Sequence, residues 1–315
     1  MKRSQKVIFP LGGQPLGIAR GLTLLTMRQN GEFRLGVKLA KGILDVKLAA
    51  EMLKLECPHT MDDLLQNEQG PALNALVDAA NKSSAVQKTL GKEEAVEYGP
   101  LLTRPEKIVC VGLNYRRHAH EIKMPLPNEP VLFSKFNNTL SAHKQRLKLP
   151  VSVAKKFDYE VELVIVIGRK AHSVGENDAL SYVAGYATGN DFSARDLQLE
   201  RGGQWLAGKT PDQFAPLGPY LVTADQVNPD NLKVECRVNG ETRQSSNTND
   251  FIFNCSQLIS YTSRLMTLKA GDVIFTGTPE GVILGKPKDQ QVWLKAGDTI
   301  ACSVEKLGEL IFELV

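Results

Sequence analysis

The chain has 315 residues, of which 42% are hydrophobic and 23% charged, and its formal net charge is +3; this is the composition of an ordinary globular protein with room for one large or two modest domains. No apolar run approaches the roughly 18–20 residues of a membrane span, and no basic block interleaved with aromatic residues points to nucleic acid, so we expect neither a membrane nor a nucleic-acid partner. The five cysteines are scattered and form no CxxC pair, which argues against a zinc site or a disulfide framework and fits a reducing compartment.

The amino-terminal stretch is basic before its first acidic residue, Glu32. Its basic residues are Lys2, Arg3, Lys6, Arg20 and Arg28. That pattern weakly resembles an organelle transit peptide. Residues 22–26, however, have the apolar pattern of a strand in a folded domain. We therefore favour a cytoplasmic protein and keep mitochondrial import as the alternative for a eukaryotic source.

Residues 1–100 are predicted to form a smaller α/β N-terminal domain. The predicted strands lie at 22–27, 33–39 and 43–46, and the predicted helices at 46–55, 60–66 and 71–90. The pair Asn30-Gly31 is typical of a tight hairpin between the first two strands. We find no reactive constellation in this unit and expect it to serve packing or dimer contact. The proline-containing segment 97–105 marks its junction with residues 101–315.

A short helix is predicted at 114–121. His118 and Glu121 share one face of it at i,i+3 spacing. The proline-rich stretch 124–130 ends this helix. A short helix held by such a loop can act as a lid, which we place at residues 113–130. On spacing alone, an ordinary surface ion pair is the alternative.

The stretch 158–168 is predicted to be the central strand of the second unit. Side chains alternate between the faces of a strand, so Asp158, Glu160 and Glu162 share one face. From 164 to 167 both faces are apolar, which indicates that this end of the strand is covered on both sides. Two carboxylates at the mouth of a buried strand favour a hard divalent cation between them, because the charge of the cation would offset their mutual repulsion. The alternative is a half-exposed strand whose glutamates face solvent.

Three later motifs could complete a site. A strand at 184–190 delivers Asp191 at its end, where the carboxylate either caps the following helix or serves as a third oxygen ligand. Lys209 follows a glycine-rich stretch with a tryptophan, which indicates a tight turn close to another group. Residues 276–279 (Thr-Gly-Thr-Pro) can present a hydroxyl and backbone N–H groups to an anion, although a plain turn would look the same. A second Asn-Gly hairpin is predicted at 239–240.

Taken together, these motifs resemble the fumarylacetoacetate hydrolase family. The residues that carry the resemblance are 112–115 with His118 and Glu121, 158–163, 190–196, 208–210 and 276–282. Their order and spacing match across residues 107–315, and within the family the chain most resembles the branch of domain-containing protein 2. The resemblance implies an α+β fold in which a catalytic mixed β-sandwich roll at 101–315 follows the N-terminal domain. It also implies a homodimer.

The resemblance also implies a site. The residues implied to hold the metal, Mg²⁺ or Mn²⁺ with Ca²⁺ as a further candidate, are Glu160, Glu162 and Asp191. The residues implied to be catalytic are His118 and Glu121, as a dyad on the lid, and Lys209 in the pocket. The residues implied to contact substrate are Tyr115, Arg195, Gln198 and Thr278.

One segment departs from the family pattern. Where the family commonly has a small turn containing glycine, this chain has residues 141–146 with His143, Lys144 and Arg146. We expect this basic segment to alter how a substrate carboxylate is received and to favour a dianionic substrate.

The implied substrate is a small 2-oxo or β-diketo carboxylate that reacts through a metal-bound enolate. The leading expectation is C–C bond hydrolysis of an acylpyruvate- or fumarylacetoacetate-like substrate, with His118 as the base that activates water. The same enolate serves an oxaloacetate decarboxylase, a keto–enol tautomerase or a 2-hydroxyhepta-2,4-diene-1,7-dioate-type isomerase, and these alternatives stay open. Oxygen ligands favour Mg²⁺, Mn²⁺ or Ca²⁺ over zinc. A catalytically silent metabolite-binding protein on the same fold is the alternative from another class.

Overall fold

The computed structural model describes residues 17–315, so the part of the transit-peptide pattern formed by Lys2, Arg3 and Lys6 lies outside the described residues. Numbered in chain order, the strands are β1 Thr23–Gln29, β2 Glu32–Leu39, β3 Gly42–Asp45, β4 Ile108–Gly112, β5 Val131–Lys135, β6 Leu140–Ser141, β7 Gln145–Leu147, β8 Phe157–Asp158, β9 Val161–Ile167, β10 Val183–Asn190, β11 Ser193–Ala194, β12 Ala215–Pro216, β13 Leu221–Thr223, β14 Lys233–Val238, β15 Glu241–Asn247, β16 Val273–Phe275, β17 Thr299–Val304 and β18 Glu309–Leu314. The helices are α1 Val46–Leu53, α2 Met61–Gln66, α3 Gly70–Lys82, α4 Ser84–Gln87, α5 Arg116–Glu121, α6 Glu176–Ala179, α7 Arg195–Leu199, α8 Leu206–Lys209 and α9 Cys255–Leu265. Within residues 17–315, every helix is too short or too polar to cross a membrane.

A mixed nine-stranded sheet forms the middle of the molecule, in the order β3-β2-β1-β13-β10-β9-β16-β4-β5. Its neighbouring strands are antiparallel except for β16 and β4, which run parallel. A five-stranded sheet, β15-β14-β17-β18-β7, forms a second layer. Apolar residues of both sheets share one core, among them Val161 of β9 and Ile300 of β17. This mixed α/β arrangement with several sheets agrees with the α+β fold that the family resemblance implies.

The first three strands extend the large sheet rather than forming a sheet of their own. Strand β1 pairs antiparallel with β13 in the register Leu24↔Leu221. Helices α1 to α3 cover the outer face of the large sheet, and Leu73 of α3 shares a core with Val164 of β9. The large sheet therefore runs across the predicted junction near residue 100, and the division into domains at 1–100 and 101–315 stays a prediction.

Strand β9 lies inside the large sheet, between β10 and β16, and all seven of its residues are buried. Leu163 and Ile165 point into the core between the two sheets. Val164 and Val166 point to the face that the helices cover. This strand is therefore enclosed on both faces, as its two-sided apolar sequence predicts.

The predicted continuous strand at 158–168 is in fact two strands. Strand β8 pairs with β11, whereas β9 pairs with β10, so the chain changes partners at Tyr159 and Glu160. At this point the Glu160 N–H donates to the side-chain oxygen of Asn190 at 3.2 Å. The Glu160 carbonyl accepts from the Asp191 N–H at 2.9 Å. The interruption thereby fixes Glu160 beside the carboxyl end of β10.

Both predicted Asn-Gly hairpins are confirmed. Asn30 and Gly31 have φ values of 52° and 80°, and Asn239 and Gly240 have 52° and 82°. Two consecutive positive φ angles are what a two-residue type I′ turn requires. The turns join β1 to β2 and β14 to β15.

The long helix predicted at 71–90 is wrong beyond Lys82. Ser83 adopts an extended conformation, and its hydroxyl accepts from the Val86 N–H to cap the separate helix α4. A serine can make this local hydrogen bond at little cost, which is why serine favours helix starts over helix interiors.

The basic segment at 143–146 does not line the largest of the described cavities, so the expectation that it alters how a substrate carboxylate is received is wrong. Strand β7 pairs in parallel with β18. His143 is buried, its Nδ1 accepts from the Ile311 N–H at 3.1 Å, and it contacts Tyr98 edge to face. Arg146 lies 3.6 Å from Glu313. The segment therefore stabilises the five-stranded sheet.

We expect His143 to make the protein sensitive to acid. Burial, and then Lys144, lower the pKa of His143 to about 4, and protonation would end its role as an acceptor from Ile311. The unfolded chain binds this proton near pH 6.5, so the stabilisation is complete above that pH and is lost as the pH falls towards 4. After allowing for solvent screening, wild type should lose about 1 kcal/mol more unfolding free energy than His143→Gln between pH 7 and pH 5.

Urea unfolding at the two pH values measures this difference. His120→Gln, on the exposed side of α5, controls for removing a histidine elsewhere. Equal losses in wild type and His143→Gln would contradict the prediction.

Candidate active site

Three buried carboxylates meet where β9 begins and β10 ends. Glu160 and Glu162 flank the start of β9, and Asp191 directly follows β10. Each residue offers one carboxylate oxygen, and these oxygens all lie within 4.8 Å of one another. The antiparallel register Asn190↔Val161 places the two strand ends side by side. The reading of Glu160 and Glu162 as a solvent-facing edge is therefore wrong, because they are 6% and 2% exposed.

Two of these carboxylates are paired with buried cations. Lys209 Nζ lies 2.6 Å from Glu160 Oε2 and 2.7 Å from Asp191 Oδ2. Arg195 Nη2 lies 2.6 Å from Glu160 Oε1, and Lys135 Nζ contacts Asp191 Oδ1. Burial alone would raise the pKa of Glu160, but Arg195 and Lys209 outweigh it and lower the pKa to about 2. Glu160 is therefore ionised.

Glu162 lacks such compensation among residues 17–315. Its Oε2 accepts from the Gly277 N–H at 2.7 Å, and none of the ion pairs in this range includes it. Burial, and then Asp191 and Glu160, raise the pKa of Glu162 well above its ordinary value. A bound cation would stabilise the ionised form of a buried carboxylate that faces two other carboxylates.

The residues present fit a hard divalent cation. All three donors are carboxylate oxygens, which suit Mg²⁺, Mn²⁺ or Ca²⁺. An ionised carboxylate has about four lone-pair sites, so Glu160 and Asp191 can accept from their lysine and arginine partners and still bind an ion. A divalent charge would also offset the repulsion that falls on Glu162. The structure thus supports a site for a hard divalent metal ion.

His118 and Glu121 form a close pair on the short helix α5. His118 Nδ1 lies 3.0 Å from Glu121 Oε2, and Glu121 Oε1 accepts from the Gly281 N–H at 2.9 Å. Since an ionised carboxylate only accepts, Nδ1 carries the hydrogen, and Nε2 is left as the basic nitrogen. His118 is 7% exposed. This burial excludes an ordinary surface ion pair.

A cavity of about 850 Å³ joins the dyad to the carboxylate triad. Among its lining residues are Val111, Leu113, His118, Glu121, Phe133, Glu160, Glu162, Asp191, Arg195, Gln198, Trp205, Lys209 and Thr278. Its volume is in the range of small-molecule sites, and its apolar walls surround a charged floor. The structure therefore brings the predicted metal ligands, dyad and lysine to one cavity.

Lys209 belongs to the floor of this cavity and is 2% exposed. Burial would lower its pKa, but Asp191 and Glu160 outweigh burial and raise the pKa above its ordinary value. Lys209 therefore stays charged and provides a fixed positive group. It does not readily give up its proton.

Of the four predicted substrate contacts, Gln198, Thr278 and Arg195 line the cavity. Arg195 already donates to Asp158, Glu160 and Gln198 at 2.6–2.9 Å. Arg195 therefore positions these three side chains relative to one another. The hydroxyl of Thr278 donates to the Val161 carbonyl at 3.0 Å.

Tyr115 does not line the cavity, in contrast to the prediction that it contacts substrate. Its ring is fully buried and packs edge to face against Phe251, with centroids 4.8 Å apart. Direct contact with a substrate would require α5 to move, because Tyr115 immediately precedes that helix.

Three residues that position the triad had no role predicted from the sequence. Lys135 ends β5 and donates to Asp191 and to the Phe192 carbonyl. Asn190 accepts from the Glu160 N–H through its side chain. Asp158 accepts from Arg195 and from the N–H groups of residues 283 and 284. A lysine at the end of a mostly apolar strand was the signal available for Lys135.

Comparison with known proteins gives consistent matches. A family model described as fumarylacetoacetate (FAA) hydrolase C-terminal matches residues 107–315. The mitochondrial oxaloacetate tautomerase FAHD2A of Bos taurus is 43% identical over 277 residues, which cover 87% of this chain and 84% of that protein. The fumarylacetoacetate hydrolase of Exiguobacterium antarcticum has a TM-score of 0.78 and 31% identity, covering 93% of this chain and 99% of that chain. The fumarylpyruvate hydrolase of Pseudomonas aeruginosa, solved with Mn²⁺ and pyruvate, has a TM-score of 0.60 and 35% identity, covering 66% and 89%.

Proposed function

The chain belongs to the fumarylacetoacetate hydrolase family, and on that premise we propose that it is a divalent-metal-dependent tautomerase that interconverts the keto and enol forms of oxaloacetate or a closely similar 2-oxo dicarboxylate. The observation that carries the proposal is the buried carboxylate triad joined by one cavity to a histidine–glutamate pair. The chain is 43% identical to a relative named as an oxaloacetate tautomerase, and the match covers most of both chains. This similarity favours tautomerase activity. Tautomerisation is therefore favoured over C–C hydrolysis, which was the leading expectation from the sequence.

The proposed metal ligands are Glu160, Glu162 and Asp191, with Mg²⁺ or Mn²⁺ as the ion. When bound, the ion supplies Lewis-acid stabilisation of negative charge that develops on the 2-oxo oxygen of the substrate. A Mn²⁺ complex of a hydrolase relative supports this class of metal. The remaining steps fall to side chains of the protein.

The proposed proton carrier is His118. Tautomerisation moves one proton between C3 and the oxygen on C2, and it consumes no water. Nε2 of His118 can take this proton from one atom and return it to the other, because Glu121 holds Nδ1 protonated and fixes the ring. Glu121 is in turn fixed by the Gly281 N–H.

Lys209 has an electrostatic part in this proposal. Its charge is fixed by Glu160 and Asp191, at 2.6 and 2.7 Å. A preorganised positive charge at the floor of a mostly apolar cavity favours the enolate over the neutral keto form. Lys135, behind Asp191, keeps that carboxylate in place.

C–C bond hydrolysis is the second candidate, and the intact dyad favours it. The same Nε2 nitrogen that can move a proton between carbon and oxygen can also activate a water molecule. The Pseudomonas aeruginosa relative is named a fumarylpyruvate hydrolase. The two reactions therefore need to be compared directly on one preparation.

The decisive assay follows a fresh, enol-rich solution of oxaloacetate. Malate dehydrogenase with NADH consumes only the keto form, so an added tautomerase should accelerate NADH oxidation. EDTA should abolish the acceleration, and Mg²⁺ or Mn²⁺ should restore it. Lactate dehydrogenase in a parallel assay detects pyruvate, which reports decarboxylation of oxaloacetate or hydrolysis of fumarylpyruvate. Metal-dependent pyruvate release without faster ketonisation would overturn the tautomerase proposal in favour of those reactions.

We further propose that the protein acts as a homodimer, which the family resemblance implies. Light scattering coupled to size exclusion would then give twice the chain mass of 34.6 kDa. A mass of one chain would contradict it. The cytoplasmic location expected from the sequence stays a prediction, and the name of the bovine relative agrees with the mitochondrial alternative.

A further inference from the structure

The charges on the floor of the cavity are enough for one substrate carboxylate but not for two. The charged side chains of the floor and its supports are Asp158, Glu160, Glu162, Asp191, Lys135, Arg195 and Lys209. The four carboxylates and three cations, together with a divalent ion, leave a single net positive charge. The carboxylate next to the 2-oxo group balances that charge. A second carboxylate must therefore find its cation elsewhere.

Three lysines at the rim of the same cavity provide that charge. Lys123, Lys286 and Lys288 all line the cavity. Within the range 17–315, all three lie more than 4 Å from any carboxylate oxygen, the distance that defines an ion pair. We propose that these rim lysines bind the distal carboxylate of a dianionic substrate. The inference rests on the proposed function in naming the substrate class.

The loop that carries two of the rim lysines is fixed to the active site. The N–H groups of Ile283 and Leu284 donate to Asp158 at 2.9 and 3.1 Å. The Gln291 side chain donates to the carbonyls of Leu284 and Lys286 at 3.0 and 2.9 Å. The same Asp158 accepts from Arg195. Lys286 is therefore held at the rim by contacts that lead directly to the metal ligand Glu160.

The rim lysines also lie on the dyad side of the cavity. A Cβ added at Gly285 would come within 2.4 Å of Glu121 Cδ, so the loop packs directly on the dyad. Lys123 follows Glu121 by two residues, with a positive φ of 57° that ends the helix.

This placement suits the chemistry of oxaloacetate. The 2-oxo end would lie at the triad and the distal carboxylate at the rim beside His118. C3 joins these two ends, so C3 would lie next to the dyad. The rim would thus select dicarboxylates and also orient the carbon that exchanges the proton.

The test compares (S)-malate with (S)-lactate, which share a 2-hydroxy carboxylate and differ in the distal carboxylate. Calorimetry on the Mg²⁺-loaded protein would give both dissociation constants for wild type and for Lys286→Met/Lys288→Met, with Lys82→Met on α3 as a matched surface control. Each partly screened pair should contribute roughly three- to fivefold, so the double variant should bind malate about tenfold more weakly. Lactate binding should stay within about twofold.

An equal loss for malate and lactate, or no loss for either, would overturn the rim site. So would a wild-type protein that does not prefer malate. In the double variant the KM for oxaloacetate should rise, and kcat should fall as well, because the rim also orients C3. Failure of the tautomerase assay with an intact, lysine-dependent preference for malate would remove the proposed activity and leave the rim site standing. If the protein is an active tautomerase but the double variant has the same ratio of malate to lactate dissociation constants as wild type, the proposed activity stands and the rim site is refuted.

Discussion

Glu162→Gln should abolish metal binding and metal-dependent turnover while leaving the protein folded. Glutamine keeps the shape of the side chain and an oxygen that can accept from the Gly277 N–H, which lies 2.7 Å from Glu162. It removes the one carboxylate of the triad that lacks a cationic partner within the described part of the chain. Losing the ion should cost several kcal/mol of transition-state stabilisation, about a thousandfold in rate.

Although Glu162→Gln should lower activity, it should not lower the stability of the metal-free protein. Burial, and then Asp191 and Glu160, raise the pKa of Glu162. The folded state therefore holds a proton that the unfolded chain releases, and metal-free wild type loses stability as the pH rises from the ordinary carboxyl pKa through the raised one. Glutamine removes that loss. Metal-free Glu162→Gln should be at least as stable as metal-free wild type at neutral pH.

Thermal unfolding with and without Mn²⁺ measures both effects. At a metal concentration of about a hundred times Kd, wild type should gain about 2.7 kcal/mol, or roughly 5 °C in Tm. Glu162→Gln should gain nothing. Glu200→Gln, an exposed carboxylate at the end of α7 that pairs with Lys156, is the matched control and should respond like wild type. A Glu162→Gln protein that is fully active with added Mg²⁺ would overturn the ligand assignment.

The triad was predictable because strand geometry is local. Strand alternation predicts Glu160 and Glu162 on one face, and they do converge although Glu160 directly precedes β9. Asp191, directly after β10, completes the set when β9 and β10 pair. The cationic support was not predictable in the same way. Lys135 reaches Asp191 from a strand 56 residues earlier in the chain, and only the order of strands in the large sheet brings the two together.

The basic segment at 143–146 also shows that contacts between distant parts of the chain are not predictable from local sequence. Its charge suggested a carboxylate site, but pairing of β7 with β18 places it against the five-stranded sheet. Two of the lysines that do line the cavity, Lys286 and Lys288, lie in a loop whose position depends on Asp158, more than 120 residues away in sequence. Charge counted along the chain does not reveal which charges converge in space.

His118→Ala should separate proton transfer from electrostatic stabilisation. A positioned general base contributes roughly 10²- to 10⁴-fold, so keto–enol interconversion of oxaloacetate should fall by at least about a hundredfold. Decarboxylation of oxaloacetate needs mainly stabilisation of negative charge, which the metal site and Lys209 supply. It should fall far less. Any hydrolysis of fumarylpyruvate should fall with tautomerisation, because both reactions use the Nε2 nitrogen.

The neighbouring histidine gives a matched control for this variant. His120 lies on the same short helix but is exposed and absent from the lining of the cavity. His120→Ala should keep all activities, and both variants should keep the gain in Tm on adding Mn²⁺. A small external base such as imidazole should restore part of the lost tautomerisation in His118→Ala, since the cavity of about 850 Å³ has room for it. If tautomerisation and decarboxylation instead fall equally and imidazole restores neither, the dyad holds the lid in place and the proton moves through another group.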